Sequence, residues 1–247
     1  MSIQFVGQTT ARSLAAVSTY NVSLTGLTGG IASSPREKDI VVATYCWAST
    51  TNDTVNLPSG NNSSTYQSLI ADAYSNDARD TNGRAAYQIM GASPDTSVDV
   101  PSFSSTTNGS CCTILVFRGV DPTTPIDVTV QSASGADSNL ANPPSITPST
   151  PGAWIVTGYM GTGDATPIAW TAPTDMTAWY TINSQATTGA FSSKVAMGYK
   201  SDWTSGAFDP AAPTAGESGA ADSFIAYSAV LRPNPMVFPK IAILVKN

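Results

Sequence analysis

One acidic stretch of the chain has the residue types that bind a hard cation. The stretch LIADAYSNDARDTNG contains Asp72, Asp77, Asp80 and Asn82 and ends in Gly83. Carboxylate and amide oxygens beside a tight glycine turn are ligands that Ca²⁺ prefers. The spacing differs from that of an EF-hand loop, and no glutamate follows to bind in a bidentate manner. We therefore expect a solvated hairpin loop here, and the alternative is a calcium site at Asp77, Asp80 and Asn82.

Acid–base catalysis has few candidate residues in this chain. The sequence contains no histidine, which excludes Ser-His-Asp and Cys-His arrangements. Its glutamates are Glu37 and Glu217, both in loop sequence rich in Ser, Gly, Ala and Pro. Glycoside hydrolysis needs two carboxylates that flank one bond, and no such pair stands out. The sequence therefore predicts a protein that is not an enzyme and holds no cofactor.

The cysteines and tryptophans are the other side chains with possible chemistry. Cys111 and Cys112 are adjacent and cannot easily form a disulfide with each other, so we expect them and Cys46 to be small buried strand residues in a reducing compartment. Tryptophans can stack on sugars. Two of the five lie in strongly apolar segments and are predicted to be core, whereas the other three lie near loops and are predicted to be partly exposed. The core pair is Trp47 and Trp154, and the loop set is Trp170, Trp179 and Trp203.

The segment VFRGVDPTTPIDV places Arg118 directly after an apolar run. A guanidinium at the end of a strand can cap loop carbonyls or pair with Asp121 or Asp127 across the following turn. Gly119 permits a sharp bend, and the prolines that follow fix the exit of the chain. The motif therefore predicts a structural corner rather than a ligand site.

The elements that position these residues are predicted to be β-strands. Apolar residues alternate with polar ones between clusters of Gly, Pro, Asn and Asp. Two segments, Asp39–Trp47 and Cys111–Phe117, are apolar on both faces and are expected to be central strands. The remaining predicted strands are Ile3–Gly7, Tyr20–Leu24, Tyr66–Ala73, Arg84–Met90, Asp127–Gln131, Ala153–Met160, Met176–Ile182, Lys194–Lys200, Ser223–Leu231 and Lys240–Val245. This pattern predicts an all-β, single-domain antiparallel sandwich of jelly-roll type.

Three segments depart from the strand pattern. Thr10–Val17 is the one stretch that could form a turn or two of helix. Ser132–Gly152 is predicted to be a long surface crossover because it is rich in proline. The end of the chain, 234–247, combines a proline-stiffened spacer with an apolar strand. No repeat of fixed period is visible, so we expect one β-sandwich domain over residues 1–233.

Composition excludes several classes of partner. The net charge is −6 and the pI is near 4.4, which disfavours binding to nucleic acid. No apolar window is long enough to span a bilayer, and the N-terminal sequence lacks the pattern of a secretion signal. The sequence therefore predicts a protein that is made in a cytoplasm and that contacts neither nucleic acid nor membrane.

Several motifs resemble those of a known family. VFRGVD at 116–121, ITPSTPGAWIV at 146–156 and AVLRP at 229–233 resemble the jelly-roll-like β-sandwich virion proteins of tailed bacteriophages. The resemblance extends over about residues 3–233. Members often carry Gly-Asp before the first buried strand, where this chain has Lys38-Asp39. The resemblance implies a virion protein made in the cytoplasm of the host bacterium.

On this basis the function we expect is non-enzymatic and structural. The first choice is a capsid decoration protein that stabilises the head lattice, with the major capsid protein or tail proteins as partners. The protein is then expected to be a homo-oligomer, with a trimer at local three-fold axes as one form. The alternative is a carbohydrate-binding receptor module on a tail or fibre, and a weaker third is a glycan-degrading enzyme.

The C-terminal segment is expected to make the contacts between subunits or to close its own sheet. Ile241, Ile243, Leu244 and Val245 are too apolar to remain in water, and an unpaired strand seeks an open sheet edge. That edge belongs either to the same chain or to a neighbouring subunit. The sequence leaves both possibilities open.

Overall fold

The computed structural model describes residues 2–14, 17–76, 80–102, 109–135, 141–164, 170–184, 191–215 and 223–235, with only the backbone at 163, 164, 191, 202, 214 and 215. The described residues form fifteen strands and no helix. No candidate for a membrane-spanning helix occurs in them. The strands are β1 Gln4–Ser13, β2 Thr19–Ser23, β3 Ile40–Ser49, β4 Ser59–Gly60, β5 Gln67–Ser75, β6 Asp80–Ile89, β7 Ser97–Pro101, β8 Ser110–Arg118, β9 Gln131–Gly135, β10 Ala153–Asp164, β11 Trp170–Thr171, β12 Ala178–Asn183, β13 Phe191–Trp203, β14 Thr214–Ala215 and β15 Phe224–Leu231.

Two five-stranded antiparallel sheets form the centre of the molecule. The N-terminal half, residues 2–118, supplies the N-sheet in the order β1-β8-β3-β6-β5. The C-terminal half, residues 119–235, supplies the C-sheet in the order β9-β15-β10-β13-β12. When only the five strands of each sheet are numbered along the chain, both sheets have the spatial order first, fifth, second, fourth, third. The chain therefore contains a structural repeat, although its sequence shows none.

Each sheet carries a smaller layer on its outer face. The layer on the N-sheet has the strand order β2-β7-β4. The layer on the C-sheet is formed by β11 and β14 and by a bridge between Ile146 and Phe208. In each half, successive strands alternate between inner sheet and outer layer except at one hairpin, which is the connectivity of a jelly roll. The predicted all-β sandwich of jelly-roll type is confirmed, and the jelly-roll pattern occurs once in each half.

The largest apolar core lies between the two inner sheets. β3 is buried along its whole length, and β8 is buried except at Arg118. Alternate residues of β3, such as Val42 and Cys46, face the central core, whereas Val41 and Tyr45 face the outer layer. Strands covered on both faces need apolar residues at every position, which explains the continuous apolar runs of the sequence. The prediction that these two strands are central is confirmed.

Hydrogen bonds between the sheets repeat in the two halves. Thr81 on β6 and Ser193 on β13 occupy equivalent positions in the two halves. Thr81 pairs with a residue of β3, and Ser193 pairs with the corresponding residue of β10. The Thr81 hydroxyl donates to the Ser223 carbonyl at 2.9 Å, and the Ser193 hydroxyl donates to the Gly109 carbonyl at 2.8 Å. Ser223 and Gly109 each precede the last strand of their half. The halves are thus related by an approximate two-fold rotation.

The symmetry breaks where the two sheets meet at their centre. The Tyr227 hydroxyl and the Thr44 hydroxyl form a buried hydrogen bond of 2.7 Å between the sheets. The Tyr227 ring lies over Gly158, where a Cβ atom would be 2.0 Å from Cε1 of the ring. In the N-terminal half, the positions equivalent to Gly158 and Tyr227 are Thr44 and Thr113. The halves are therefore complementary in shape rather than identical.

The structure corrects two of the predicted segments. Thr10–Ser13 is part of β1 and pairs with β8, so the prediction of helix within Thr10–Val17 is wrong there; residues 15 and 16 lie outside the described residues. Ladder pairing along a central strand outweighs weak local helix propensity. Ser132–Gly135 belongs to β9 rather than to a crossover. The strand that we predicted at Asp127–Gln131 therefore lies later in the chain, at Gln131–Gly135. This strand, β9, is a polar edge strand without an apolar pattern.

The predicted C-terminal strand is the part of the fold that stays a prediction. Ile241, Ile243, Leu244 and Val245 lie outside the described residues. The chain leading to them is tied to its own molecule, since the Asn234 amide donates to the Gly119 carbonyl at 2.7 Å and the Asp121 amide donates to the Arg232 carbonyl at 2.9 Å. The segments that follow β8 and β15 thus run side by side in opposite directions.

Candidate functional site

Arg118 forms a closed ion pair at the end of β8, here named the Arg118 corner. Its Nε donates to Asp39 Oδ1 at 2.9 Å, and its Nη2 donates to Asp39 Oδ2 at 2.8 Å. The Asp39 side chain is only 1% exposed, and its Oδ2 also accepts from the Arg36 amide. Such a bidentate pair fixes both position and orientation. The predicted structural corner is therefore present.

The partner of Arg118 differs from the prediction. We expected loop carbonyls, Asp121 or Asp127, but antiparallel pairing of β3 with β8 places Asp39 beside Arg118. Asp121 instead accepts from the amides of its own turn. Gly119 makes the bend with a φ of 80°, and a Cβ there would lie 2.5 Å from the Ser2 carbonyl oxygen. The predicted role of Gly119 in the turn is confirmed.

Arg232 forms the equivalent corner in the C-terminal half, here named the Arg232 corner. Its Nε donates to Asp127 Oδ1 at 3.0 Å. The Asp127 carboxylate also accepts from the amides and hydroxyls of Ser149 and Thr150. Burial alone would raise the Asp127 pKa, but these hydrogen bonds outweigh it and hold the pKa below its usual value. Asp127 thus joins Arg232 to the turn before β10.

The turns that lead into β3 and β10 have the same backbone form. The Asp39 amide donates to the Arg36 carbonyl at 3.1 Å, and the Ala153 amide donates to the Thr150 carbonyl at 3.2 Å. Lys38 has a φ of 66°, and Gly152, its equivalent, has a φ of 77°. This left-handed conformation favours glycine. Lys38 therefore occupies a position where glycine fits better.

The acidic stretch that suggested a calcium site is used in other ways where the structure describes it. The Asp80 carboxylate accepts from the Tyr74 hydroxyl at 2.9 Å. The Asn82 amide group donates to the Thr51 carbonyl and accepts from the Asp53 amide. Asp77 lies outside the described residues. The residues that the structure does describe contain no group of three or more Asp, Glu, Cys or His able to hold a metal ion.

A third loop is held by an aspartate that the sequence analysis did not single out. Asp95 is buried and accepts from the amides of Asn62 and Ser63, from the Ser63 hydroxyl and, at 3.3 Å, from the Tyr66 hydroxyl. It thereby fixes the turn between β4 and β5. Asp95 has no local sequence signal, because its partners come from a distant part of the chain.

Burial makes the thiols of Cys111 and Cys112 poor nucleophiles. Cys46, Cys111 and Cys112 are buried and free, as predicted. Burial raises the pKa of Cys112 to about 12, with a smaller contribution from Cys111, and it raises the pKa of Cys111 as well. A thiol in that state is not a thiolate at neutral pH. These cysteines are therefore structural residues.

The tryptophans divide differently from the prediction. Trp47 and Trp154 are in the core as expected. Trp170 is 4% exposed, so the prediction that it is partly exposed is wrong; it lies on β11 of the outer layer and packs against Tyr159 of β10. Trp179 and Trp203 are half-buried.

Of the two glutamates, Glu37 is exposed and its carboxylate is 3.9 Å from the Lys38 ammonium group, and Glu217 lies outside the described residues.

Comparison with known proteins gives no identification. The chain matches no family model, no curated protein and no solved structure. The resemblance to virion proteins of tailed bacteriophages therefore rests on the sequence motifs alone, and it stays a prediction. What the structure itself establishes is a sandwich of two jelly-roll halves, each closed by an arginine–aspartate corner.

Proposed function

We propose that this protein is a structural, non-enzymatic component of a tailed-phage virion that decorates the head shell and stabilises its lattice. It is made in the cytoplasm of the host bacterium and joins the particle through protein contacts with the major capsid protein. In this proposal the protein is a homo-oligomer, and a trimer matches the local three-fold axes of a head. The motifs at 116–121, 146–156 and 229–233 support the family, and the structure supports the mechanical role.

The observation that carries the proposal is the pair of arginine corners. Arg118 is the last residue of β8 and Arg232 directly follows β15, at the same end of the sandwich, where the segments after them pair with each other. The aspartates that pair with them are almost fully buried. Each aspartate also accepts hydrogen bonds from the turn that leads into β3 or β10. A rigid body with fixed loops suits a protein that reinforces a lattice by shape and contact.

The ionisable groups of the core also favour a structural role. Burial raises the pKa of the Cys111 and Cys112 thiols and keeps them protonated, and it raises the pKa of Tyr199 to about 12, with Tyr180 contributing a smaller part. Asp39 and Asp127 are engaged by arginines, and Asp95 by loop amides. Carboxylates engaged in this way hold strands and loops in place.

Gold-labelled antibody against the purified protein tests the location. We expect electron micrographs of intact particles to show label over the head surface. Label confined to the tail or its fibres would contradict decoration of the head and would favour the receptor role. Absence of label from particles that bind a control antibody to the head protein would contradict the virion assignment itself.

A further inference from the structure

A shallow groove of about 260 Å³ lies between two turns of the C-terminal half. One wall is the turn before β10, and the other is the turn after β13. We name it the Trp203 groove; its lining residues are Pro148, Ser149, Thr150, Pro151, Trp203, Thr204, Ser205 and Gly206. Every lining residue that the structure describes is uncharged. The volume suits a single sugar ring rather than a protein surface.

Both walls of the Trp203 groove are held in place. Asp127 accepts four hydrogen bonds from Ser149 and Thr150 and is paired with Arg232, which fixes the first wall. In the second wall, the Trp203 indole N–H donates to the Gly206 carbonyl at 3.0 Å. The Trp203 ring also packs against Phe208, with a centroid distance of 5.2 Å. A preformed site binds without the entropic cost of ordering its loops.

The chemistry of the lining selects a class of ligand. An indole and two proline rings offer apolar surface, while the hydroxyls of Thr204 and Ser205 form no hydrogen bond with any residue that the structure describes. Sugar rings combine an apolar face of C–H groups with hydroxyls around the edge, and half-buried aromatic residues match such amphipathic surfaces. Asp127, which accepts from Ser149 and Thr150 of the first wall, is paired with Arg232. The groove therefore suits an uncharged ligand.

The N-terminal half shows that the fold itself does not require the groove. There the equivalent turn carries Arg36, Glu37 and Lys38, so it is charged. The residue equivalent to Trp203 is Met90, because Trp203 stands opposite Ala153 and Met90 stands opposite Asp39, the residue equivalent to Ala153. Met90 is 2% exposed. A half-buried tryptophan between two turns of uncharged residues is thus a feature of the C-terminal half, and the equivalent turn of the N-terminal half lacks it.

We propose that the Trp203 groove binds one ring of a neutral saccharide. The apolar face of the ring stacks on the indole of Trp203, and its hydroxyls form hydrogen bonds with Thr204 and Ser205. This inference does not depend on attachment to a phage head. A protein that failed as a decoration protein could still bind sugar here, and the converse also holds.

Titration of the ¹⁵N-labelled full-length protein with methyl α-glucoside, methyl α-mannoside and N-acetylglucosamine tests the site. We expect at least one sugar to shift the Trp203 indole N–H resonance and to leave the other four indole resonances in place. The Trp203 resonance is the one that disappears in Trp203→Leu, a variant that retains apolar contact with Phe208. This variant should weaken sugar binding by at least about tenfold. The matched control is Trp179→Leu, a half-buried tryptophan outside the groove, which should bind as the parent does.

Three results would overturn the proposal. The first is that none of the three sugars shifts the Trp203 resonance at saturating concentration. The second is that Trp203→Leu binds as the parent does. The third is that acetylneuraminic acid or a proline-rich peptide shifts this resonance at lower concentration than any neutral sugar. If Trp203→Leu does not fold, Thr204→Ala/Ser205→Ala replaces it, because both side chains are exposed; undiminished affinity in that variant would also contradict the proposal.

Discussion

At the scale of single residues, the two corners reach one geometry with different aspartates. In the N-terminal half the carboxylate is Asp39, which stands at the start of β3 and beside Arg118. In the C-terminal half that position is Ala153, and Asp127 reaches Arg232 from the segment before β9. The arginine thus occupies the same position in both halves, whereas the aspartate that pairs with it comes from a different position in each half. Each arginine should therefore contribute to stability mainly by neutralising a buried charge.

Arg118→Ala tests the first corner. Removing the guanidinium leaves the Asp39 carboxylate buried without its ion partner, which should lower the free energy of unfolding by about 3 kcal/mol. Denaturant unfolding of Arg118→Ala, Asp39→Ala and the double variant measures this. The double variant should be no less stable than Arg118→Ala. An unchanged stability of Arg118→Ala together with lost particle attachment would instead make Arg118 a functional contact.

Lys38→Gly tests the backbone of the same corner. Lys38 adopts a left-handed conformation at φ 66°, which disfavours residues with a Cβ, so glycine should raise the stability by about 1 kcal/mol. Loss of the exposed contact with Glu37 should matter little. The converse change at the equivalent position, Gly152→Ala, should lower stability by a similar amount. Thermal unfolding of both variants measures this, and a fall in stability of Lys38→Gly would contradict the assignment.

At the scale of elements, the sequence predicts strands that are buried on two faces and misses those that are not. β3 and β8 were predicted from continuous apolar runs because both of their faces are covered. β9 was missed because it is a polar edge strand whose position depends on pairing with β15. The partner of Arg118 was missed for the same reason, since cross-strand neighbours follow from register. The Trp203 groove needs two turns distant in sequence, so only its tryptophan was predictable.

Gly158→Ala tests the packing of the inner sheets. A Cβ at this position would meet the Tyr227 ring at 2.0 Å, and the ring is held by its hydrogen bond to Thr44. Overpacking of this kind should lower stability by about 3 kcal/mol. The matched control is Gly91→Ala, where nothing lies within 4 Å of the added Cβ. Equal melting temperatures for the two variants would show that Tyr227 does not occupy this space.

At the scale of the whole molecule, the two halves enclose one core and are joined through paired segments after Arg118 and Arg232. The strand orders agree, but the central contact between Tyr227 and Thr44 has no counterpart across the two-fold relation. Two identical halves would need this contact twice, once in each direction, at the same central position. The chain is therefore a pair of complementary jelly rolls around one core.

Removal of residues 236–247 tests the role proposed for the C-terminal strand. The cut after Pro235 keeps the bonds that Arg232 and Asn234 make within the chain. If Ile241, Ile243, Leu244 and Val245 pair with a neighbouring subunit, the shortened protein should keep its melting temperature and lose oligomerisation, as measured by light scattering. A full-length variant with serine at these four positions is the control for length. Unfolding or precipitation of both variants would place the strand in its own sandwich.

The copy number in purified particles tests the proposed function most directly. A protein that reinforces the head lattice must be present in numbers comparable with those of the major head protein. Quantitative gel densitometry of purified virions, calibrated with known amounts of both proteins, measures this ratio. The decoration role predicts comparable copy numbers. A protein present in only a few copies per particle, or absent from the particle, would contradict it.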